Sequence, residues 1–296
     1  MSTRTTPFAR VTIPSIREAR SEGRRLVMVT AYDTPSGRAA DEAGVDIVLV
    51  GDSLAMVVLG HPDTLSVTVD EMVHHTAAVS RGVHRALVVG DMPFLSYHTG
   101  WRDAVMAAGR FVQKGRAAAV KLEGGRKRVD VITALVDAEI PVMGHVGLTP
   151  QSLHTLGGYR VQGRRTAQAE MLLADALAVA KAGAFAVVLE GLPDRLGAAI
   201  TAELPVPTIG IGAGGACDGQ VLVFHDLLGW SGPGPSPRFV RRYADLGQEA
   251  RRALTAFAED VRSGRYPSND ETYPTPEPVA TWLRDRAGGR SQRETA

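Results

Sequence analysis

Short, unbroken runs of Val, Ile, Leu and Ala punctuate the chain at Leu26–Ala31, Val45–Val50, Ala86–Val89, Ala117–Leu122, Ile140–Gly144, Ala184–Leu189, Val206–Ile211 and Val221–His225. Runs without polar alternation suit strands covered on both faces, as in a parallel sheet. Longer stretches with helical spacing separate them, at Pro35–Ala43, Val69–Arg81, Trp101–Gly115, Val129–Ala138, Ala167–Ala182 and Asp194–Ala202. Alternating strand and helix predicts an α/β fold, and eight strand runs point to a closed (β/α)8 barrel, with a doubly wound open sheet as the alternative. The length of 296 residues suits one such barrel. Residues 1–272 are expected to form this single domain with an N-terminal extension, and residues 273–296 a mostly mobile tail. A short helix over Thr12–Glu22 is expected to cover the barrel floor. A rigid Pro/Gly turn over Trp230–Phe239 is expected to lead into an Arg-rich helix from about Phe239 to Arg262.

Composition narrows the function classes. Hydrophobic residues at 44% supply a sizeable core, and a net charge of +1 argues against a general attraction to nucleic acid or anionic lipid. Cys217 is the only cysteine, so neither an internal disulfide nor a cysteine zinc site is available. The N-terminus lacks the apolar core of a signal peptide, and no run reaches a membrane-spanning length of about 18 apolar residues. These features suit a reducing cytoplasm.

The chemistry is written just after the strand runs. These end in Tyr32-Asp33, Gly51-Asp52-Ser53, Gly90-Asp91, Glu123 (with Lys121 two residues earlier), His145 and Glu190, and the seventh runs into Gly210–Gly214, GIGAG. In a barrel these ends meet in one ring at the mouth. A single Asp after a strand is usually a helix cap, and a single His is usually a hydrogen-bonded core residue. Six successive ends carrying acids or His are harder to read as caps, because unpartnered buried carboxylates are costly. A hard cation such as Mg²⁺ fits a site of two or three carboxylates with no Cys better than zinc does. Lys121 and Glu123 share one strand face. Only four lysines occur among the 33 basic residues, so a Lys here suits a compact charge for a carboxylate. A Schiff-base lysine is the competing reading. Two long Gly-rich connections, Ser53–Thr68 and Thr149–Thr166, are expected at the same mouth.

The order of LVGDSLAMVVLGHPDTLSVTVDEM (Leu49–Met72), GDMPFLSY (Gly90–Tyr97), VKLEGG (Val120–Gly125), GHVGLTPQS (Gly144–Ser152), LGGYRVQGR (Leu156–Arg164), GIGAG and DGQVLVFHDLLG (Asp218–Gly229) resembles the ketopantoate hydroxymethyltransferase family from about Val11 to Tyr273. The resemblance implies a TIM barrel of the phosphoenolpyruvate/pyruvate-type superfamily. It implies transfer of a hydroxymethyl group from 5,10-methylenetetrahydrofolate to 3-methyl-2-oxobutanoate, giving 2-dehydropantoate on the route to pantothenate. It implies one Mg²⁺ per subunit, an enolate intermediate, and a cytoplasmic homo-oligomer, commonly a decamer. Matched by motif, Asp52, Asp91 and Glu123 correspond to the metal-associated acids, with Glu123 acting through water. Asp52, Ser53, Asp91 and Lys121 correspond to the oxo-acid contacts, Glu190 to the proton acceptor, and His145 to a supporting position behind the metal-associated acids. The GIGAG turn and the loop holding Tyr159–Arg164 are expected on the folate side.

The chain departs from the family's pattern in the Pro-rich turn at Trp230–Phe239, at Arg164-Arg165 and beyond Tyr273. Three rival readings stay open. One is a related metal-dependent lyase or mutase, although the catalytic-cysteine loop usual there is absent. Another is the same chemistry on a different 2-oxo acid, and the third is a catalytically dead scaffold.

Overall fold

The computed structural model describes residues 9–230 and 237–291. Its strands are β1 (Leu26–Thr30), β2 (Ile47–Val50), β3 (Leu87–Asp91), β4 (Ala119–Glu123), β5 (Val142–Gly147), β6 (Ala186–Glu190), β7 (Thr208–Ile211) and β8 (Gly219–Leu222). They pair in chain order, all parallel, and β8 returns to β1, which closes the barrel. The open-sheet alternative is thereby excluded. The six expected crossover helices lie at Thr34–Glu42, Val69–Gly82, Trp101–Gln113, Val129–Asp137, Thr166–Lys181 and Asp194–Glu203.

The strand runs are uniformly apolar because their two faces serve two cores. Ile47, Leu49, Leu87, Val89, Ala119, Met143, Ala186, Val188 and Ile209 fill the barrel interior. Their strand neighbours Val48, Val50, Val88, Val120, Leu122, Val142, Val187 and Leu189 face outward against Phe111, Leu135, Val179 and Ile200 of the helices. Two outward positions are glycine for a packing reason. A Cβ on Gly90 would strike the Phe111 ring, and one on Gly144 would strike Val179. The helix Ile13–Ser21, capped by Thr12, buries Ile16 and Ala19 in the interior cluster, as expected for a plug under the barrel.

β8 and the Arg-rich helix depart from their expected boundaries. β8 begins at Gly219, earlier than Val221, because a glycine fits where a Cβ would lie 2.6 Å from the carbonyl oxygen of Leu26. The strand then stops short of Phe224, whose N–H is taken by the Thr30 hydroxyl at 2.9 Å, and Phe224–Leu227 turns into a short helix. The Arg-rich helix runs over Leu246–Ser263, starting where the Asp245 side chain accepts from the N–H of Gln248. Residues 231–236 of the expected Pro/Gly turn lie outside the described residues.

The described residues pack as two units, one up to Ala244 and one from Asp245. In the second, Leu246–Ser263 is followed by a helix over Glu277–Ser291, within the stretch expected as a tail. No helix among the described residues is long and apolar enough to cross a membrane.

Candidate active site

Period-two alternation carries the interior pattern to the barrel mouth and there changes its chemistry. On β3 the inward series Leu87, Val89 ends in Asp91, and on β4 Ala119 is followed by Lys121 and Glu123. On β5 Met143 is followed by His145, and on β6 Ala186 and Val188 by Glu190. Asp52 and Ser53 follow β2 and lead into the helical turn Leu54–Val57. All seven candidate residues line one pocket of about 640 Å³, a volume that includes its open mouth. Leu49, Val188, Ile211, Val221 and Val223 give the same pocket an apolar wall. The two long connections meet over it, where the Tyr159 hydroxyl lies 3.8 Å from the sulfur of Met56.

The aspartates adjoin: the N–H of Asp52 donates to Asp91 Oδ2 at 3.2 Å. Lys121 Nζ lies 2.6 Å from each oxygen of Asp91. His145 bridges the remaining acids, with Nδ1 3.5 Å from Glu123 Oε1 and Nε2 3.2 Å from Glu190 Oε2. Both contacts are skewed from hydrogen-bonding directions, so they act chiefly through charge. The Ser53 hydroxyl is held by the Tyr32 hydroxyl at 2.8 Å.

Burial and mutual repulsion dominate the electrostatics. Burial first, then Asp91 and Glu123, push the Asp52 carboxyl well above its usual range. Asp91 is also raised by burial, against the pull of Lys121. Burial works against the Lys121 ammonium, but Asp91, Glu123 and Asp52 outweigh it and raise its pKa. Lys121 is therefore a charged partner of Asp91, which disfavours the Schiff-base reading. Burial and Lys121 would likewise discharge His145, yet Glu123 and Glu190 prevail and push it up to about 9. Glu123 is lowered despite its burial, mainly by His145.

Asp33 does not join the ring. Its side chain caps the helix Thr34–Glu42, accepting from the N–H of Ser36 at 2.8 Å. Among the described residues, no three His, Cys, Asp or Glu side chains converge as a ready ligand set. Glu123 Oε2 is engaged by the backbone N–H of Gln151 at 3.0 Å, while its Oε1 is buried without a hydrogen bond.

Sequence reasoning missed Gln151, Tyr97 and Thr64. Gln151 Nε2 donates to Asp52 Oδ2 at 2.9 Å, and the Tyr97 hydroxyl donates to Gln151 Oε1 at 2.5 Å. Thr64 lines the pocket with its hydroxyl buried and without a hydrogen-bond partner among the described residues. All three stand in stretches singled out as motifs or long loops, but neutral residues there carry no charge signature.

Comparison with known proteins places the chain in a family. A family model described as ketopantoate hydroxymethyltransferase matches residues 10–269. The 3-methyl-2-oxobutanoate hydroxymethyltransferase of Moorella thermoacetica is 55% identical over 265 residues, covering 90% of this chain and 98% of that protein. The protein of the same name from Pelobacter propionicus is 54% identical over 264 residues, covering 89% and 97%. Among solved structures, 2,3-dimethylmalate lyase, a PEP mutase/isocitrate lyase superfamily member, aligns with a TM-score of 0.57 at 19% identity, covering 98% of this chain and 100% of that one. Phosphonopyruvate hydrolase in complex with oxalate and Mg²⁺ aligns with a TM-score of 0.57 at 15% identity, covering 95% and 98%. These structural likenesses bear on the fold alone, a closed parallel (β/α)8 barrel.

Proposed function

Because the chain belongs to the ketopantoate hydroxymethyltransferase family, we propose that it transfers a hydroxymethyl group from 5,10-methylenetetrahydrofolate to 3-methyl-2-oxobutanoate, giving 2-dehydropantoate, with a divalent cation held at Asp52 and Asp91. Water supplies the hydroxyl oxygen. The same reading makes the protein a cytoplasmic homo-oligomer serving pantothenate synthesis.

The donor set fits a divalent cation. The pocket's charged lining is Asp52, Asp91, Glu123 and Glu190 against Lys121 and His145. Four carboxylates against two cationic groups leave two negative charges uncompensated when all are ionised. Mg²⁺ typically takes one or two protein carboxylates and completes its shell with water and substrate oxygens, which suits an adjoining Asp pair with Glu123 reached through water. When bound, the cation withdraws electron density from the 2-oxo acid's carbonyl and so acidifies the neighbouring C–H.

The protein's own groups divide the remaining work. Lys121 offers a buried ammonium to the substrate carboxylate, and Ser53, held by Tyr32, offers a hydroxyl. Glu190 takes the C3 proton. The observation that carries this assignment is its placement. Glu190 stands on β6, opposite β2 in the eight-stranded ring, and its side chain is 16% exposed, against 2% for Asp91 and 3% for Glu123. It is thus the carboxylate of the ring best able to meet a substrate carbon held from the Asp52 side. The His145 imidazole lies beside it, with Nε2 3.2 Å from Glu190 Oε2, and fixes where that carboxylate stands. The apolar wall of Leu49, Val188, Ile211 and Val221 suits the two methyl groups on C3.

The test is direct. Protein supplied with 3-methyl-2-oxobutanoate, 5,10-methylenetetrahydrofolate and Mg²⁺ is expected to form 2-dehydropantoate, detected by mass spectrometry. Turnover of another 2-oxo acid in preference would replace the substrate, and no product from any 2-oxo acid would overturn the reading.

A further inference from the structure

Gln151 lies in the turn Pro150–Ser152 after β5 and is 5% exposed. Its amide orientation is settled by its neighbours. Nε2 donates to Asp52 Oδ2 at 2.9 Å and to the carbonyl oxygen of Met92 at 3.0 Å, while Oε1 accepts from the Tyr97 hydroxyl at 2.5 Å. Reversing the amide would press Oε1 against a carboxylate and a carbonyl oxygen, neither of which can donate when Asp52 is ionised. Tyr97, itself 1% exposed, uses the same hydroxyl to accept from the N–H of Glu123 at 3.2 Å. The N–H of Gln151 donates to Glu123 Oε2 at 3.0 Å. The hydrogen bonds thus close a circuit through Gln151, Tyr97 and Glu123, with Asp52 joined to it at Gln151; the four residues come from the ends of β2 and β4 and the loops after β3 and β5.

Resting on the function proposed above, we propose that Gln151, held by Tyr97, is the positioning residue that sets the Asp52 carboxylate for its cation and ties it to Glu123. The two aspartates are held by different chemistry. Asp91 is gripped by a charged ammonium, which competes with a metal for the same oxygens. Asp52 is gripped through Oδ2 alone by a neutral amide, which orients the carboxylate without cancelling its charge. Asp52 is accordingly the primary anchor and Asp91 the secondary one. Groups that orient metal-binding residues in this way typically contribute about 10- to 100-fold to metal affinity.

The test measures Mg²⁺ binding by calorimetry without substrate, alongside thermal unfolding, for the parent, Gln151→Met, Tyr97→Phe and the double variant. Met keeps the volume and loses the amide, and Phe keeps the ring and loses one oxygen. Gln151→Met is expected to weaken Mg²⁺ about 10- to 100-fold, and Tyr97→Phe several-fold. The double variant is expected to bind no more weakly than Gln151→Met, because both changes break one circuit. The KM for the 2-oxo acid at fixed, subsaturating Mg²⁺ should rise in the same order, and saturating Mg²⁺ should restore most of it. A role confined to packing would lower the unfolding temperature and leave Mg²⁺ affinity in place. Folded variants that bind Mg²⁺ as the parent does, or losses that add in the double variant, overturn the proposal. If Gln151→Met fails to fold, Tyr97→Phe decides alone. A parent that binds no Mg²⁺ overturns the functional reading and this assignment together, whereas a binding parent with indifferent variants overturns this assignment only.

Discussion

Lys121 Nζ lies 2.6 Å from both oxygens of Asp91, its register partner on the neighbouring strand, and both side chains are almost wholly buried. Breaking a buried pair by removing one partner typically costs about 3–5 kcal/mol, because the other charge is left uncompensated. Lys121→Met should therefore lower the stability of metal-free protein by about that amount. Urea denaturation with and without Mg²⁺ checks it. Mg²⁺ should stabilise the variant more than the parent, since the cation then meets Asp91 without a competitor. Equal stabilisation of the two would place Asp91 away from the metal.

Metal binding should be linked to protons. In metal-free protein, burial with Asp91 and Glu123 nearby raises the Asp52 pKa, and burial raises that of Asp91. A raised carboxylate stays protonated to higher pH than an exposed one, and a cation must displace that proton. Mg²⁺ affinity is thus expected to fall as pH is lowered, with net proton release on binding. Calorimetry in buffers of different ionisation enthalpy reads the release directly. Proton uptake, or affinity independent of pH, would contradict the assignment.

Thr64 is 2% exposed, and its buried hydroxyl has no hydrogen-bond partner among the described residues. An unsatisfied buried hydroxyl costs about 1–3 kcal/mol. Thr64→Val is accordingly expected to leave ligand-free stability unchanged or raise it by about 1 kcal/mol, while raising the KM for the 2-oxo acid or the folate. Urea denaturation and steady-state kinetics separate the two effects. A clear loss of stability would mean that the hydroxyl already has a structural partner.

Asp33 and Asp91 both follow apolar strand runs, but Asp33 caps a helix. Asp33→Ala should cost about 0.5–2 kcal/mol of stability and leave turnover near the parent value. Asp91→Ala should weaken Mg²⁺ binding and lower turnover with it. Similar effects of the two substitutions on turnover would undo this distinction.

That pair also marks how far the sequence can be read. Strands covered on two faces are conspicuous as unbroken apolar runs, so the barrel and its mouth were legible. Inward acids such as Asp91 and Glu123 stand out because a charge interrupts an apolar alternation. An Asp just past the strand, as at position 33, looks the same whether it caps or catalyses, and only its hydrogen bonds decide. Gln151 and Tyr97 were illegible as site residues, because they act through neutral hydrogen bonds from loops whose path no periodicity describes. The start of β8 was displaced because Gly219 and Gln220 pair in the sheet without the apolar signature of a strand.

In the proposed reaction this ring of side chains removes a proton next to a ketone. Proton NMR of 3-methyl-2-oxobutanoate in deuterium oxide, with protein and Mg²⁺ but no folate, measures that step alone. The C3 proton signal is expected to disappear with the parent, and exchange to slow by about 100-fold or more in Glu190→Gln while calorimetric Mg²⁺ binding persists. No exchange by the parent above the uncatalysed rate would contradict it.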